Sequence, residues 1–311
     1  MQLQPKTSHH FFRLTPWLIA IFLALPCTAQ ELEPRRWSHL PMDMNFAGAG
    51  YAYTTGDIAF NPLLLIEDGE LTMQTFAAKY IRTFEVFDKS ARFDIAQAYQ
   101  SGKWTGLLDG VPASAERNGL RDTVVRLAIN LFGGPPLKGK EFAEYRANTT
   151  CETIVGLGLA VQIPTGSYYK DKLINLGTNR FTFHPQLGIV HNRGKWSMEL
   201  TTSAWIFTDN DSFRNGNRLE QDPLLTAQAH VNYTFRPGLW IGTGIGYGFN
   251  GESAVNGSAT NDPKSNLVWA ISAGLPINRQ LGVKIGYIGL RTKKETGADL
   301  DTFSIGISAL W

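Results

Sequence analysis

The sequence predicts a transmembrane, antiparallel up-and-down β-barrel of about twelve strands. Three observations predict it: a short apolar export signal, strict residue alternation in several separate segments, and a last strand that ends on the aromatic Trp311.

The signal comes first. Lys6 and Arg13 precede Trp17–Leu25, an unbroken apolar run of nine residues. Pro26-Cys27-Thr28-Ala29 then supplies a helix break and a small residue before Gln30, so residues 1–29 read as a cleaved secretory signal. A spanning helix would need roughly 20 apolar residues, which this run lacks. Cys27 lies near the cleavage region, but Pro26 before it fits a lipoprotein signal poorly. The whole chain carries 29 basic and 27 acidic residues. Residues 1–29 hold two of the basic ones and no acid, so the remainder balances at 27 to 27. Nothing in that balance favours nucleic acid as a partner. Cys151 is then the sole cysteine and can form no internal disulfide.

Alternation places the strands. In 302–311 the odd positions read Phe303, Ile305, Ile307, Ala309 and Trp311, and the even ones are mostly small or polar. Successive side chains of a strand point to opposite faces, so one face is a lipid stripe and the other faces inward. The same arithmetic recurs in 239–250, 224–236, 155–163 and 122–131, each near the ~9–11 residues of a tilted spanning strand. Residues 277–280, 236–238 and 191–195 are expected as periplasmic turns, and 292–301, 251–265, 209–222 and 165–179 as extracellular loops. Upstream, 71–83 and 91–103 read as a hairpin turning at 88–90. Residues 105–119 then read as an outer loop, and 133–150 as a long periplasmic connector with a short helix at 138–145. Eleven strands result, and a single-chain barrel prefers an even number. The twelfth is expected within 51–66, making 30–66 an N-terminal segment, a candidate lumen plug together with the first strand, and 67–311 the barrel.

With the strands placed, four segments carry a resemblance: 137–142 (LKGKEF), 164–168 (PTGSY), 175–180 (NLGTNR) and 221–223 (QDP). In combination they resemble the bacterial outer-membrane transporter family tied to the meta-pathway of phenol degradation. A second likeness lies in Asn45, Gly48 and Gly50 followed by Asn61 and Pro62, similar to the N-terminal hatch of long-chain fatty-acid and toluene channels. It implies a plug inside the lumen, although Leu63 stands where those channels have Ala. An ordinary first strand and turn remains open as the other reading.

Inward parity nominates Asp122, Arg126, Asn130, Glu199, Trp205, Gln228, His230, Asn232, Arg236, Trp240 and Lys284 as lumen-lining residues. An Arg or Lys facing lipid at the midplane would cost about 2–4 kcal/mol, which forces these groups inside. There they either pair, Arg126 with Asp122 and Lys284 with Glu199, or line a solute path. The alternating Gly242, Gly244, Gly246 and Gly248 either widen the lumen or ease strand coiling. His184 and His230 have inward parity but lack a serine or acid two residues on, and His191 sits in a turn, so no enzyme is expected. No His/Cys/Asp cluster has metal-ligand spacing, and no segment would hold a cofactor. The resemblance implies passive uptake of small hydrophobic or aromatic compounds. A general hydrophilic porin and a closed binding barrel remain alternatives. Partners expected are outer-membrane lipid and the barrel-assembly machinery, which would read the strand carrying Phe303 and Trp311.

Overall fold

A computed structural model of the chain describes residues 32–60 and 66–311. The expected signal, together with Asn61 and Pro62, lies outside the described residues. The elements in chain order are β1 Asn45–Ala59, β2 Ile66–Val86, β3 Lys89–Leu108, β4 Val111–Leu120, β5 Thr123–Phe132, α1 Gly139–Asn148, β6 Cys151–Ile163, β7 Thr182–Arg193 and β8 Trp196–Phe207. There follow β9 Asn210–Phe213, β10 Asn217–Gln221, β11 Leu224–Arg236, β12 Leu239–Asn250, β13 Ser253–Val255, β14 Ser258–Ala259, β15 Lys264–Pro276, β16 Leu281–Thr292 and β17 Gly297–Leu310.

One thirteen-stranded sheet closes on itself, because β2 pairs with β1 on one side and β3 on the other. β4 and β5 both pair with β3, one above the other, so thirteen strands form twelve staves. Closure leaves no unpaired edge for lipid to meet. The seam is β1 on β17, and Asn45 and Trp311 exchange backbone bonds of 2.9 and 3.1 Å at its periplasmic end. Leu127, Leu200, Ile245, Ile271, Phe303 and Ile305 all face outward and are exposed, as an apolar belt requires. Two short turns, at Gly194 (φ 57°) and Gly238 (φ 81°), use the left-handed backbone that glycine adopts freely.

Four expectations need correction. The twelfth stave is β1, which starts at Asn45 rather than within 51–66. Its Gly- and Ala-rich start gave no alternating contrast to read. The β2–β3 turn falls at Phe87-Asp88 instead of 88–90. Residues 105–119 are not a loop: β3 and β4 run on as a hairpin whose turn is Asp109-Gly110, both at positive φ. That overhang is largely exposed on both faces, so its sequence shows no apolar stripe. The periplasmic helix runs Gly139–Asn148, later than expected, and buries Phe142. Above the barrel the loop strands β9, β10, β13 and β14 form a separate four-stranded sheet.

Candidate functional site

Residues 32–44 run inside the barrel, and their side chains meet inward-facing wall residues on nearly every side. Trp37 packs with Ala128, Ile154 and Val190. Its ring lies on the bare backbone of Gly156 and Gly188: a Cβ at Gly188 would stand 1.9 Å from Trp37 Nε1, and one at Gly156 2.3 Å from the ring. Trp37 Nε1 donates to Thr201 Oγ1 at 2.9 Å, and the Arg126 guanidinium sits 5.1 Å from the ring centroid. Three glycines on β6 and β7 (Gly156, Gly158 and Gly188) thus make room for one indole.

Ion pairs fix the segment beside that contact. Lys79 bridges Glu33 at 3.0 Å and Asp94 at 3.4 Å; Asp94 also meets Arg92 at 3.0 Å and Arg126 at 3.5 Å. Arg36 holds Glu33 at 3.1 Å. Removing one member of such a buried set strands the others, at roughly 3–5 kcal/mol. Leu32 ends in an apolar cluster with Leu71, Met73, Leu176, Val268, Ala270, Leu290 and Leu300.

The periplasmic connector latches the lower end. His39 Nε2 donates to the Pro135 carbonyl at 2.7 Å, which puts a proton on that nitrogen, and the ring stands edge-on between Phe142 and Tyr145. Glu152 accepts from Tyr145 at 2.8 Å and Arg146 at 3.0 Å, and lies 3.5 Å from His39 Nδ1. Burial pulls the His39 pKa down, partly offset by the Glu152 charge. Met42 N reaches Leu137 O at 2.9 Å.

A roof closes the outer side. Asp122, at the break between β4 and β5, accepts from Gly166 N and Thr178 N (both 2.9 Å) and from Thr178 Oγ1 at 2.7 Å. One carboxylate therefore folds the 164–181 loop inward, with Gly166 and Gly177 in backbone contact. Arg180 closes the loop, stacked 4.4 Å over Phe207 and bonded to Gln221.

Two larger chambers lie among the described residues. The outer one, about 250 Å³, lies between roof and plug; its wall includes Ala77, Ala96, Ala98, Val124, Trp205 and Phe207. The inner one, about 240 Å³, opens at the periplasmic turns beside Arg35, Arg146, Lys195 and Arg236.

The family profile described as "Putative MetA-pathway of phenol degradation" matches residues 43–303. The chain belongs to this family. No curated protein matches it in sequence. Among solved structures it is similar to the COG4313 outer membrane channel of Pseudomonas putida F1, at 21% identity and TM-score 0.74, over 90% of this chain and 100% of that one. The translocator domain of the autotransporter NalP from Neisseria meningitidis is a looser likeness, at 12% identity and TM-score 0.47, over 88% and 90% of the two chains. A TodX monoaromatic hydrocarbon channel mutant gives 9% identity and TM-score 0.48, over 89% and 92%.

The segments that carried the family resemblance gather at two places. PTGSY, NLGTNR and QDP build the roof, and LKGKEF supplies the latch that receives Met42 and His39. Of the residues nominated from parity, Asp122, Arg126 and Trp205 line the outer chamber. Arg236 belongs to the inner mouth, and Asn130 flanks a small void beside Trp37. Glu199, Gln228, His230, Asn232, Trp240 and Lys284 are buried in the wall. Arg126 pairs with Asp94 instead of Asp122, because the roof has consumed Asp122. Both Glu199 oxygens lack a hydrogen-bond partner among the described residues, so the expected Lys284–Glu199 pair does not form. Asn45, Gly48 and Gly50 are not a plug. They sit in β1, paired along both edges, and the lumen is filled by the residues just before them. Glu33, Trp37, Lys79, Asp94, Arg180 and Phe207 escaped sequence reasoning. The alternating glycines of β6 were visible, but their tenant lies more than a hundred residues away.

Proposed function

We propose that the protein is a passive outer-membrane pathway for small aromatic solutes, made as a precursor whose residues 1–29 are a cleaved signal. The carrying observation is an apolar-walled chamber of about 250 Å³ held between an inward-folded roof and a lumen segment. Residues 32–44 act as the plug, within the segment 30–66 where the sequence places a candidate plug. A water-filled pore would conduct ions freely; Trp37 and the ion pairs around Glu33 stand in that path. The family's description and the channel nature of the COG4313 outer membrane protein support the same reading. Outer-leaflet sugars obstruct apolar molecules, so a sheltered route offers a gain. No catalytic step and no cofactor is part of this reading; lipid and the assembly machinery are its macromolecular partners.

The test pairs two measurements on the same protein. Cells producing the full chain should take up labelled phenol at micromolar concentration several-fold faster than cells lacking it. The purified barrel in a planar bilayer should be almost silent. Large, steady ohmic steps from the wild-type barrel would overturn this reading in favour of a general porin.

A further inference from the structure

Granted that the outer chamber receives the solute, its polar groups decide which aromatics fit. The unspent groups there are mainly donors. Arg180 is 9% exposed; its Nη2 is spent on Gln221, while Nη1 has no acceptor among the described residues. Burial pushes this guanidinium down to about 10, which leaves it cationic at neutral pH. Trp205 Nε1 also lacks an acceptor, and the indole is stacked at 3.7 Å on His184, which fixes where that donor points. On the floor, none of the Arg126 guanidinium nitrogens has a hydrogen-bond acceptor, although Nη1 lies 3.5 Å from Asp94.

The acids of the wall are largely committed. Asp122 holds the roof, Glu33 holds Lys79 and Arg36, and Asp94 Oδ2 faces Lys79, Arg92 and Arg126, leaving its Oδ1 as a free acceptor. Buried donors without acceptors are costly, more so when charged, and a ligand that satisfies them recovers that cost. The apolar remainder of the wall, with Phe207 and Trp205 as ring faces, suits a single aromatic ring. Beyond the plug, the inner chamber is lined by Arg35, Arg146, Lys195 and Arg236, with no acid lining it among the described residues. Both chambers therefore favour negative charge.

We infer that the outer chamber binds a small aromatic carboxylate, its ring against Phe207 and Trp205 and its carboxylate on Arg180 Nη1. A guanidinium stacked on an aromatic ring and open along one polar edge presents its donors in the plane a carboxylate needs.

The experiment is calorimetric titration of the purified full-length barrel with three probes: benzoate, benzamide and acetate. Benzamide keeps the ring and shape without the charge, and acetate keeps the charge without the ring. Benzoate should bind at least tenfold tighter than either. Arg180→Gln should bring benzoate to the benzamide level, while an unchanged thermal melt of the variant shows that it is folded. Equal binding of benzoate and benzamide by the wild type overturns the carboxylate site while leaving an aromatic pathway intact. So does an Arg180→Gln variant that still prefers benzoate. Acetate binding as tightly as benzoate overturns the aromatic half of the inference. No binding by any probe removes the site together with the solute reading beneath it.

Discussion

Two walls of the barrel carry alternating glycines, and they are used differently. On β12, Gly242 and Gly244 lie under Asn232 and His230, side chains of the adjacent strand that lean across the gap. On β6 and β7, Gly156, Gly158 and Gly188 lie under Trp37, which arrives from outside the sheet. The first wall fills its own hollow. The second is a socket. Glycine alternation alone reports only that something must come close to the backbone, and the identity of the visitor is set by which neighbours are too small to fill the space.

Gly188→Ala should break this distinction most sharply. Its methyl would stand 1.9 Å from Trp37 Nε1, leaving the indole no place on that wall. The expected result is loss of the plug from the lumen, read as steady ohmic conductance where the wild type is nearly silent. Unchanged silence would mean that the socket does not hold the gate. Trp37→Ala is next. It removes the tenant rather than the socket, and should cost docking about 3–5 kcal/mol, as truncating a buried Trp does. Hydrogen exchange should then show residues 32–44 losing protection while the strands keep theirs. Gly244→Ala makes the converse case: its methyl meets His230 Cδ2 at 2.3 Å, a side chain that can turn. It should lower barrel stability by about 1–3 kcal/mol through overpacking and leave the plug protected. Denaturant midpoints read the first effect, and exchange reads the second.

Acidification should give the smallest effect. The docked His39 has its pKa below the ordinary value of 6.5, with burial as the larger cause and the Glu152 charge opposing it. The docked state therefore favours neutral imidazole. Its stability is complete at higher pH and falls as pH drops below the free-state pKa, levelling off once the docked ring also protonates. Arg146 and Tyr145, which share Glu152, face the same site. Opening frequency in a bilayer should rise between pH 7 and pH 5, and His39→Gln should flatten that dependence.

Legibility in the sequence followed what each residue was packed against. β12 and β17 alternate cleanly because lipid on one side and lumen on the other impose opposite chemistry, so their parity was readable. β4 meets water on both faces and left no stripe; Asp109-Gly110, a strong two-residue hairpin signal, was there to find it. In the candidate site, parity placed Arg126 and Trp205 inward but could not pair them. Arg126 meets Asp94 across a strand neighbour, and Asp122 answers to a loop some forty residues later. Likeness points to Asn45, Gly48, Gly50, Asn61 and Pro62 for the plug, within the segment 30–66. What distinguishes Leu32–Met44 is its crowded mix of Arg, Glu and Trp, which makes sense only against a lumen whose charges come from remote strands.

Among the described residues, no backbone bond joins Leu32–Pro41 to a barrel strand; the first anchor along the chain is Met42 to the connector. Leu32–Pro41 is thus held by side chains, on a leash tied by backbone bonds from Met42 to Leu137 and from Asp43 and Met44 to Thr83 of β2, while the cylinder is held by its ladders. On the proposed function, gate and container would be two separate cooperative units. Such a gate would empty and refill without a single stave parting, so a barrel that resists detergent and heat would say nothing about whether its channel is shut.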